Sequence, residues 1–154
     1  MDKDLLSIQQ VRDLIKAAKT AQKEYSTFTQ EKVDKIIEAM SMEVRKHSEE
    51  LAKMANEETG FGKWQDKVIK NKFASEIVYD SIKDMKTIGI LKEEDSLLSV
   101  AVPVGVIAGL IPSTNPTSTT IYKTLISLKA GNAIVVSPHP NAKNCIIKTV
   151  EILK

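Results

Sequence analysis

Apolar residues recur at helical spacing through the first half of the chain. The stripe that starts near Ser7 predicts a first helix to about Lys23, and Thr29 is the expected N-cap of a second. The stripe near Ser48 either continues that second helix or begins a new one. A break at 59–62 precedes a further predicted helix from about Lys63 to Met85. We therefore assign helices to 1–95.

The pattern changes to extended chain after this helical part. Residues 96–102 alternate weakly between polar and apolar, which indicates a strand that is half of a hairpin or an arm. The β-branched run over 104–111 predicts a strand buried on both faces, and Pro112 ends it. An amphipathic helix follows, closed by Gly131, and 133–136 predicts a second buried strand. The order predicts a βαβ unit at 104–136 with parallel strands, and a last helix at 141–154.

Two polar turns, at 112–120 and 137–141, follow the carboxyl ends of these two strands. Ligands of open α/β sheets bind at that edge, and each turn also begins a helix, where backbone N–H groups favour oxygen-rich or anionic ligands. The pattern favours a nucleotide or another phosphate-bearing cofactor. The alternative is that the hydroxyl-rich turn at 113–120 only caps the helix that follows it.

Composition narrows the function classes. A chain of 154 residues with 42% hydrophobic content is enough for one globular core. The 22 basic and 20 acidic residues nearly cancel, which argues against nucleic acid as a partner and favours a small molecule or a protein. One cysteine allows no internal disulfide, and neither a signal peptide nor an apolar span of membrane length is present. These features predict a cytoplasmic protein without a membrane contact.

The last residues of the sequence lead to an expectation about the length of the protein. The apolar period of the last helix runs to Lys154 without a residue that usually closes a helix, and a sheet of two strands is seldom stable alone. We therefore expect a truncated domain, the amino-terminal portion of a larger protein.

Several separate motifs carry a resemblance to a known family. The turn at 112–119, together with 102–107 and 137–140, resembles the aldehyde dehydrogenase superfamily and in particular its CoA-acylating branch. Residues 21–36 and 66–76 resemble the amino-terminal part of the bifunctional aldehyde-alcohol dehydrogenases of fermenting bacteria. The resemblance implies an α/β fold, with amino-terminal helices before the βαβ unit of a Rossmann-type NAD-binding domain.

The same resemblance implies an activity and its ligands. Enzymes of this kind interconvert acyl-CoA and aldehyde with NAD as cofactor and coenzyme A as a substrate, and a homo-oligomer of the full-length protein is expected. The implied cofactor residues lie in two groups, one beside the nicotinamide and its ribose and one near the adenosine: Leu110, Ile111, Pro112, Ser113, Thr114 and Asn115, and then Ser137, Pro138 and His139.

The chain departs from the family pattern at three points. Hydrolytic relatives carry an oxyanion-stabilising Asn where this chain has Thr114, while Asn115 comes one residue later, so both are candidate catalytic residues. Those relatives also carry a Lys at the place of Ser137. The nucleophilic Cys of the family lies beyond Lys154, so we expect this chain alone to be inactive. A stand-alone acylating enzyme and a non-catalytic oligomerisation module remain as alternatives.

The other reactive or conspicuous residues have simpler interpretations. Cys145 lies on the apolar face of the predicted last helix, which favours a packed core thiol over a nucleophile. His47 is expected on the surface, and no metal-ligand motif is recognised. Gly105 and Gly109 lack the spacing of a dinucleotide fingerprint. Aromatic residues at 61, 64 and 73 are expected in the core, and the Lys and Glu pairs of the first helices on solvated faces.

Overall fold

The structure is a computed structural model that describes residues 2–154. This part of the chain forms seven α-helices and four strands. The helices are α1 Lys3–Tyr25, α2 Gln30–Lys46, α3 Ser48–Thr59, α4 Trp64–Lys72, α5 Val78–Ile82, α6 Pro116–Lys129 and α7 Lys143–Leu153. The strands are β1 Gly89–Glu94, β2 Leu97–Ala101, β3 Val106–Ile111 and β4 Ala133–Pro138. A π-helical turn, Phe73–Ile77, joins α4 to α5, and a 3₁₀ turn, Pro140–Ala142, precedes α7.

The predicted βαβ unit is confirmed. Strands β3 and β4 pair in parallel, from Val106 opposite Ala133 to Ile111 opposite Pro138, and α6 connects them. Gly131 ends the helix at a φ of 77°, and the backbone N–H of the next residue, Asn132, donates to the Ser127 carbonyl. This is the hydrogen-bond pattern of a Schellman motif, which needs a left-handed residue at that place. The predicted α/β fold class is therefore correct.

Helix α6 lies at the centre of the core. Its Ile121 and Leu125 are fully buried and belong to one cluster with Val33, Ile37, Val44, Leu51, Ala74 and Leu153. A second, smaller cluster joins α3, β3 and α7 through Ala55, Ile111, Ala142, Cys145 and Ile146. The helices α2, α3 and α7 thus hold α6 and the end of β3 in a fixed relation.

The helical region ends earlier than predicted. The last helix before the strands stops at Ile82, and Gly89–Glu94, inside the predicted helical range 1–95, is a strand. It pairs antiparallel with β2, so the strand predicted at 96–102 is confirmed and is half of a hairpin. Gly89, whose φ of 74° is in the left-handed region, is the first residue of β1. At the other end, α1 begins at Lys3 rather than near Ser7, while Thr29 caps α2 as predicted.

Several apolar positions are more exposed than their pattern predicts. Strand β3 is not buried on both faces, because Ala108 and Leu110 are exposed while Gly109 and Ile111 are buried. The described residues cover one face of this strand, and alternate side chains point to opposite faces. Phe61 and Phe73, expected in the core, are also exposed, and α1 has no buried residue.

The helices of the described residues, 2–154, include none long and apolar enough to span a membrane.

Candidate functional site

The two predicted polar turns lie side by side. Because β3 and β4 are paired in parallel, their carboxyl ends meet at one edge of the sheet, with Leu110 opposite Ser137. A backbone hydrogen bond of 3.1 Å from the His139 N–H to the Ile111 carbonyl joins the two turns directly. The structure therefore brings the two groups of candidate residues to one surface.

The first turn leads into α6 through Asn115 and Pro116. Asn115 is the N-cap residue, and its backbone carbonyl accepts from the Thr119 N–H at 3.2 Å, but its side chain makes no capping hydrogen bond. The hydroxyls of Thr117 and Thr120 are buried and satisfied within the fold, by Asn71 Oδ1 and the Pro116 carbonyl. The Thr117 and Thr120 hydroxyls of the polar turn therefore stabilise the fold. The Asn115 side chain, in contrast, does not cap α6.

Two lysines of α4 hold this turn. Lys67 Nζ donates to the Thr114 carbonyl at 3.0 Å, and Lys70 Nζ donates to Asn115 Oδ1 at 2.8 Å. Only 6% of Lys67 is exposed, and burial, together with the positive charge of Lys70, lowers the pKa of its ammonium. Sequence reasoning did not single out these two lysines, because contacts between residues more than 40 positions apart leave no local signal.

An apolar pocket of about 590 Å³ opens beside Asn115. Its wall is formed by Ile69, Phe73, Ala74, Val78 and Tyr122, and its polar groups come from Lys70, Asn115 and Ser118. The exposed position of Phe73, unexpected from sequence, places its ring on this pocket. A concave apolar wall with a few convergent polar groups is the usual form of a small-molecule site.

Most of the predicted cofactor residues lie at the surface. Leu110, Pro112, Thr114, Ser137 and His139 are exposed, and Ser113, Asn115 and Pro138 are half-buried. Ile111 differs, because its side chain packs in the second core cluster and leaves only its carbonyl at the junction of the turns. His139 Nδ1 accepts from the Asn141 N–H at 3.1 Å, so this histidine also shapes its own turn.

Cys145 has the environment of a structural thiol. It is fully buried, its Sγ donates to the Ala142 carbonyl at 3.3 Å, and burial, followed by the neighbouring Glu58 carboxylate, raises its pKa to about 12. The prediction of a packed core cysteine is confirmed. Within the part of the chain that the structure describes, no cluster of three or more His, Cys, Asp or Glu residues is placed to hold a metal ion.

The fold agrees with comparisons to known proteins. Residues 4–154 match the Aldehyde dehydrogenase family, and the chain belongs to it. The chain is 48% identical over 149 residues to the bifunctional aldehyde-alcohol dehydrogenase of Escherichia coli, covering 96% of this chain and 17% of that protein. An acetylating aldehyde dehydrogenase from Geobacillus thermoglucosidasius is 51% identical, with a TM-score of 0.95 over 99% of this chain and 34% of that one.

Two further structures that resemble this chain contain ligands. A propionaldehyde dehydrogenase of Rhodopseudomonas palustris, 30% identical with a TM-score of 0.75, has bound CoA and an acylated cysteine, and the match covers 90% of this chain and 32% of that one. An engineered glycolyl-CoA reductase with bound NADP⁺ matches at the same identity, TM-score and coverage. This chain thus spans about a third or less of each of these proteins.

Proposed function

We propose that this chain is the amino-terminal part of the NAD-binding domain of an acylating aldehyde dehydrogenase, most similar to the bifunctional aldehyde-alcohol type. The enzyme interconverts acyl-CoA and aldehyde in the cytoplasm, with NAD as the cofactor. The observation that carries the proposal is the position of Asn115, which lies in the first of two adjoined polar turns and also lines an apolar pocket. Family membership and the similarity to acetylating enzymes support it.

The turns have the chemistry that a dinucleotide requires. They provide exposed hydroxyls and backbone groups at the carboxyl ends of adjacent parallel strands, beside the amino terminus of α6. Leu110, Pro112 and Ser113 would contact the nicotinamide half, and Ser137, Pro138 and His139 the adenosine half, with Ile111 contributing only its backbone. The bound nicotinamide supplies or accepts the hydride.

The residues of this chain would act on the acyl group by orienting it and by stabilising charge. The apolar wall of Ile69, Phe73, Val78 and Tyr122 suits a short acyl chain. When a thiolate from outside these residues attacks the acyl carbonyl, negative charge develops on its oxygen, and an N–H or O–H donor lowers the barrier. Asn115 lines the pocket, whereas Thr114 is exposed, so the geometry favours the amide as that donor.

The test is an assay of the full-length enzyme with acetyl-CoA and NADH. We expect free CoA to be released as NADH is oxidised, because a hydride from NADH and a proton from solvent convert the thioester to aldehyde and thiol, with one NADH used at this step. An alcohol dehydrogenase half would use a second NADH to reduce the aldehyde. We expect no turnover from residues 1–154 alone, since their only thiol is buried. Absence of turnover by the full-length enzyme, or robust turnover by the short chain, would contradict the proposal. The length of the reading frame distinguishes the bifunctional from the stand-alone type.

A role in assembly is a second candidate, favoured by the β1–β2 hairpin. Its apolar residues Ile90, Leu91, Leu97, Leu98 and Val100 are all exposed, as on a surface that packs against another chain. We propose that the hairpin contributes to a homo-oligomer of the full-length protein. Light scattering of a Leu97→Lys and Val100→Lys double variant is expected to show a smaller particle than wild type, and an unchanged mass would exclude the hairpin.

A further inference from the structure

Helix α4 presents two ammonium groups to successive residues of the first turn. Lys67 and Lys70 are three positions apart, so both lie on the same side of the helix. Lys67 Nζ contacts the backbone carbonyl of Thr114, and Lys70 Nζ contacts the side-chain oxygen of Asn115. One lysine therefore fixes the main chain of the turn and the other fixes the amide that follows it.

The contact with Lys70 determines which end of the Asn115 amide is available. An ammonium group only donates hydrogen bonds, so the atom 2.8 Å from Lys70 Nζ must be the amide oxygen. The oxygen and nitrogen of an amide point in different directions, and the NH₂ group is therefore directed away from Lys70. Without that contact, the two ends of the amide could exchange places by rotation about the side chain.

The charge on Lys70 also acts on the amide. Hydrogen bonding to the oxygen of an amide polarises the group and makes its N–H a better donor. Among residues 2–154, the carboxylates that form salt bridges pair with other cations and not with Lys67 or Lys70. Lys70 also lines the same pocket as Asn115.

We infer that Lys70 is a positioning residue, which holds the Asn115 amide with its NH₂ group directed toward the developing oxyanion of the acyl substrate. The inference rests on the proposed function, because it gives Lys70 a role in the same reaction. Lys67 supports it by keeping the Thr114 peptide in place. Lys70 itself need not touch the substrate.

The experiment compares variants of Lys70 in the full-length enzyme. Lys70→Met removes the ammonium and keeps the length of the side chain, Lys70→Arg keeps a cationic donor, and Lys72→Met is the control, since Lys72 is an exposed lysine of the same helix. We expect Lys70→Met to lower kcat for acetyl-CoA reduction about tenfold or more, with KM for NADH changed less than about threefold. Lys70→Arg should recover most of the loss, and Lys72→Met should match wild type.

A double variant separates a positioning role from a merely structural one. If Lys70 acts through Asn115, adding Lys70→Met to Asn115→Ala lowers kcat no further, whereas independent effects multiply. A wild-type kcat in Lys70→Met, or a full multiplicative loss in the double variant, would overturn the inference. The proposed function is tested separately, by whether the wild-type full-length enzyme turns over acetyl-CoA and NADH.

A crystal structure of the Lys70→Met enzyme gives a readout that does not depend on activity. The inference predicts that Asn115 adopts one orientation in wild type and more than one, or a rotated one, in the variant. An Asn115 amide with its oxygen in the same place in both structures would contradict it, whatever reaction the enzyme catalyses.

Discussion

The ammonium of Lys129 is nearly inaccessible to solvent and lies 2.6 Å from a carboxylate oxygen of Asp34. Lys129 Nζ also donates to the Lys83 carbonyl at 2.7 Å, and Gln30 Nε2 donates to the same Asp34 oxygen at 2.7 Å. The end of α6 is thereby connected to α2 and to the chain after α5. Because α6 begins at the candidate site, this network fixes the helix on which the site is built.

Removing the Asp34 carboxylate should destabilise the fold. Asp34→Ala leaves a buried ammonium without its counter-charge, and we expect the free energy of unfolding to fall by about 2 kcal/mol, since the carboxylate is itself partly exposed. Urea denaturation measures the change. Glu31→Ala is the control, because its pair with Lys35 on the same helix is highly exposed, and its effect on stability should be much smaller. Equal losses in the two variants would contradict this account of the Lys129 pair.

Glu58 should make stability depend on pH. Its carboxylate accepts from the backbone N–H groups of Asn144 and Cys145, each at 2.8 Å, at the start of α7. Burial alone would raise the pKa of Glu58, but these hydrogen bonds outweigh it and lower the pKa below 4.5. The stabilisation is therefore present above the unfolded-state pKa and is lost as the pH falls through the lowered folded-state value.

The corresponding test is Glu58→Gln. We expect a loss of about 1 kcal/mol at pH 7, typical of a lost helix cap, and a difference from wild type that shrinks as the pH falls through the lowered folded-state pKa of Glu58. Unfolding curves at a series of pH values measure it, with the exposed neighbour Glu57→Gln as control. A difference that stays constant between pH 7 and pH 3 would show that the carboxylate charge is not responsible.

A side chain at Gly131 should destabilise the fold. Its φ is 77°, and an added Cβ would lie 3.2 Å from Ile88 Cδ1, so Gly131→Ala combines backbone strain with a close contact. We expect a loss of about 2 kcal/mol from these two effects. Gly60→Ala has a similar φ of 69° and no atom within 4 Å, so it should lose only the backbone part, about 1 kcal/mol. Thermal denaturation compares the two, and a larger loss at Gly60 would contradict the assignment.

Cys145 should be unreactive in the folded protein. With a pKa raised to about 12 and a buried Sγ, it holds very little thiolate near neutral pH. Mass spectrometry after iodoacetamide treatment is expected to find the Cys145 peptide unmodified in buffer and modified in urea. Cys145→Ala in the full-length enzyme should keep kcat within about threefold of wild type. Rapid native labelling, or loss of turnover in a folded Cys145→Ala enzyme, would assign this thiol a role in the chemistry.

The sequence predicted correctly those elements that are determined by residues close to them in the chain. The β-branched run, Pro112 and Gly131 predicted the βαβ unit because each acts within a few residues of itself. Strand β1 was missed because Lys92, Glu93 and Glu94 suit a helix as well as a strand, and only pairing with β2 decides between them. The π-helical turn was also missed, because distant residues stabilise it. Its Ser75 carbonyl accepts hydrogen bonds from Ser41 and Arg45, which lie more than 29 residues away.

The candidate site also has a part that could be predicted from local sequence and a part that could not. Its polar turns were predictable, since they follow strands and begin helices. The apolar pocket and the lysine contacts were not, because they depend on how α4 packs against α6. The burial of the Ile111 side chain likewise follows from the packing of α3 and α7 on the end of β3.

The most direct test of the account is to replace Asn115 and Thr114 separately by alanine in the full-length enzyme and to measure kcat with acetyl-CoA and NADH. Because Asn115 lines the pocket and Thr114 does not, we expect Asn115→Ala to lower kcat by about a hundredfold or more and Thr114→Ala to change it much less. A wild-type kcat in Asn115→Ala, or a hundredfold loss in Thr114→Ala alone, would contradict the placement of the reaction at the Asn115 amide.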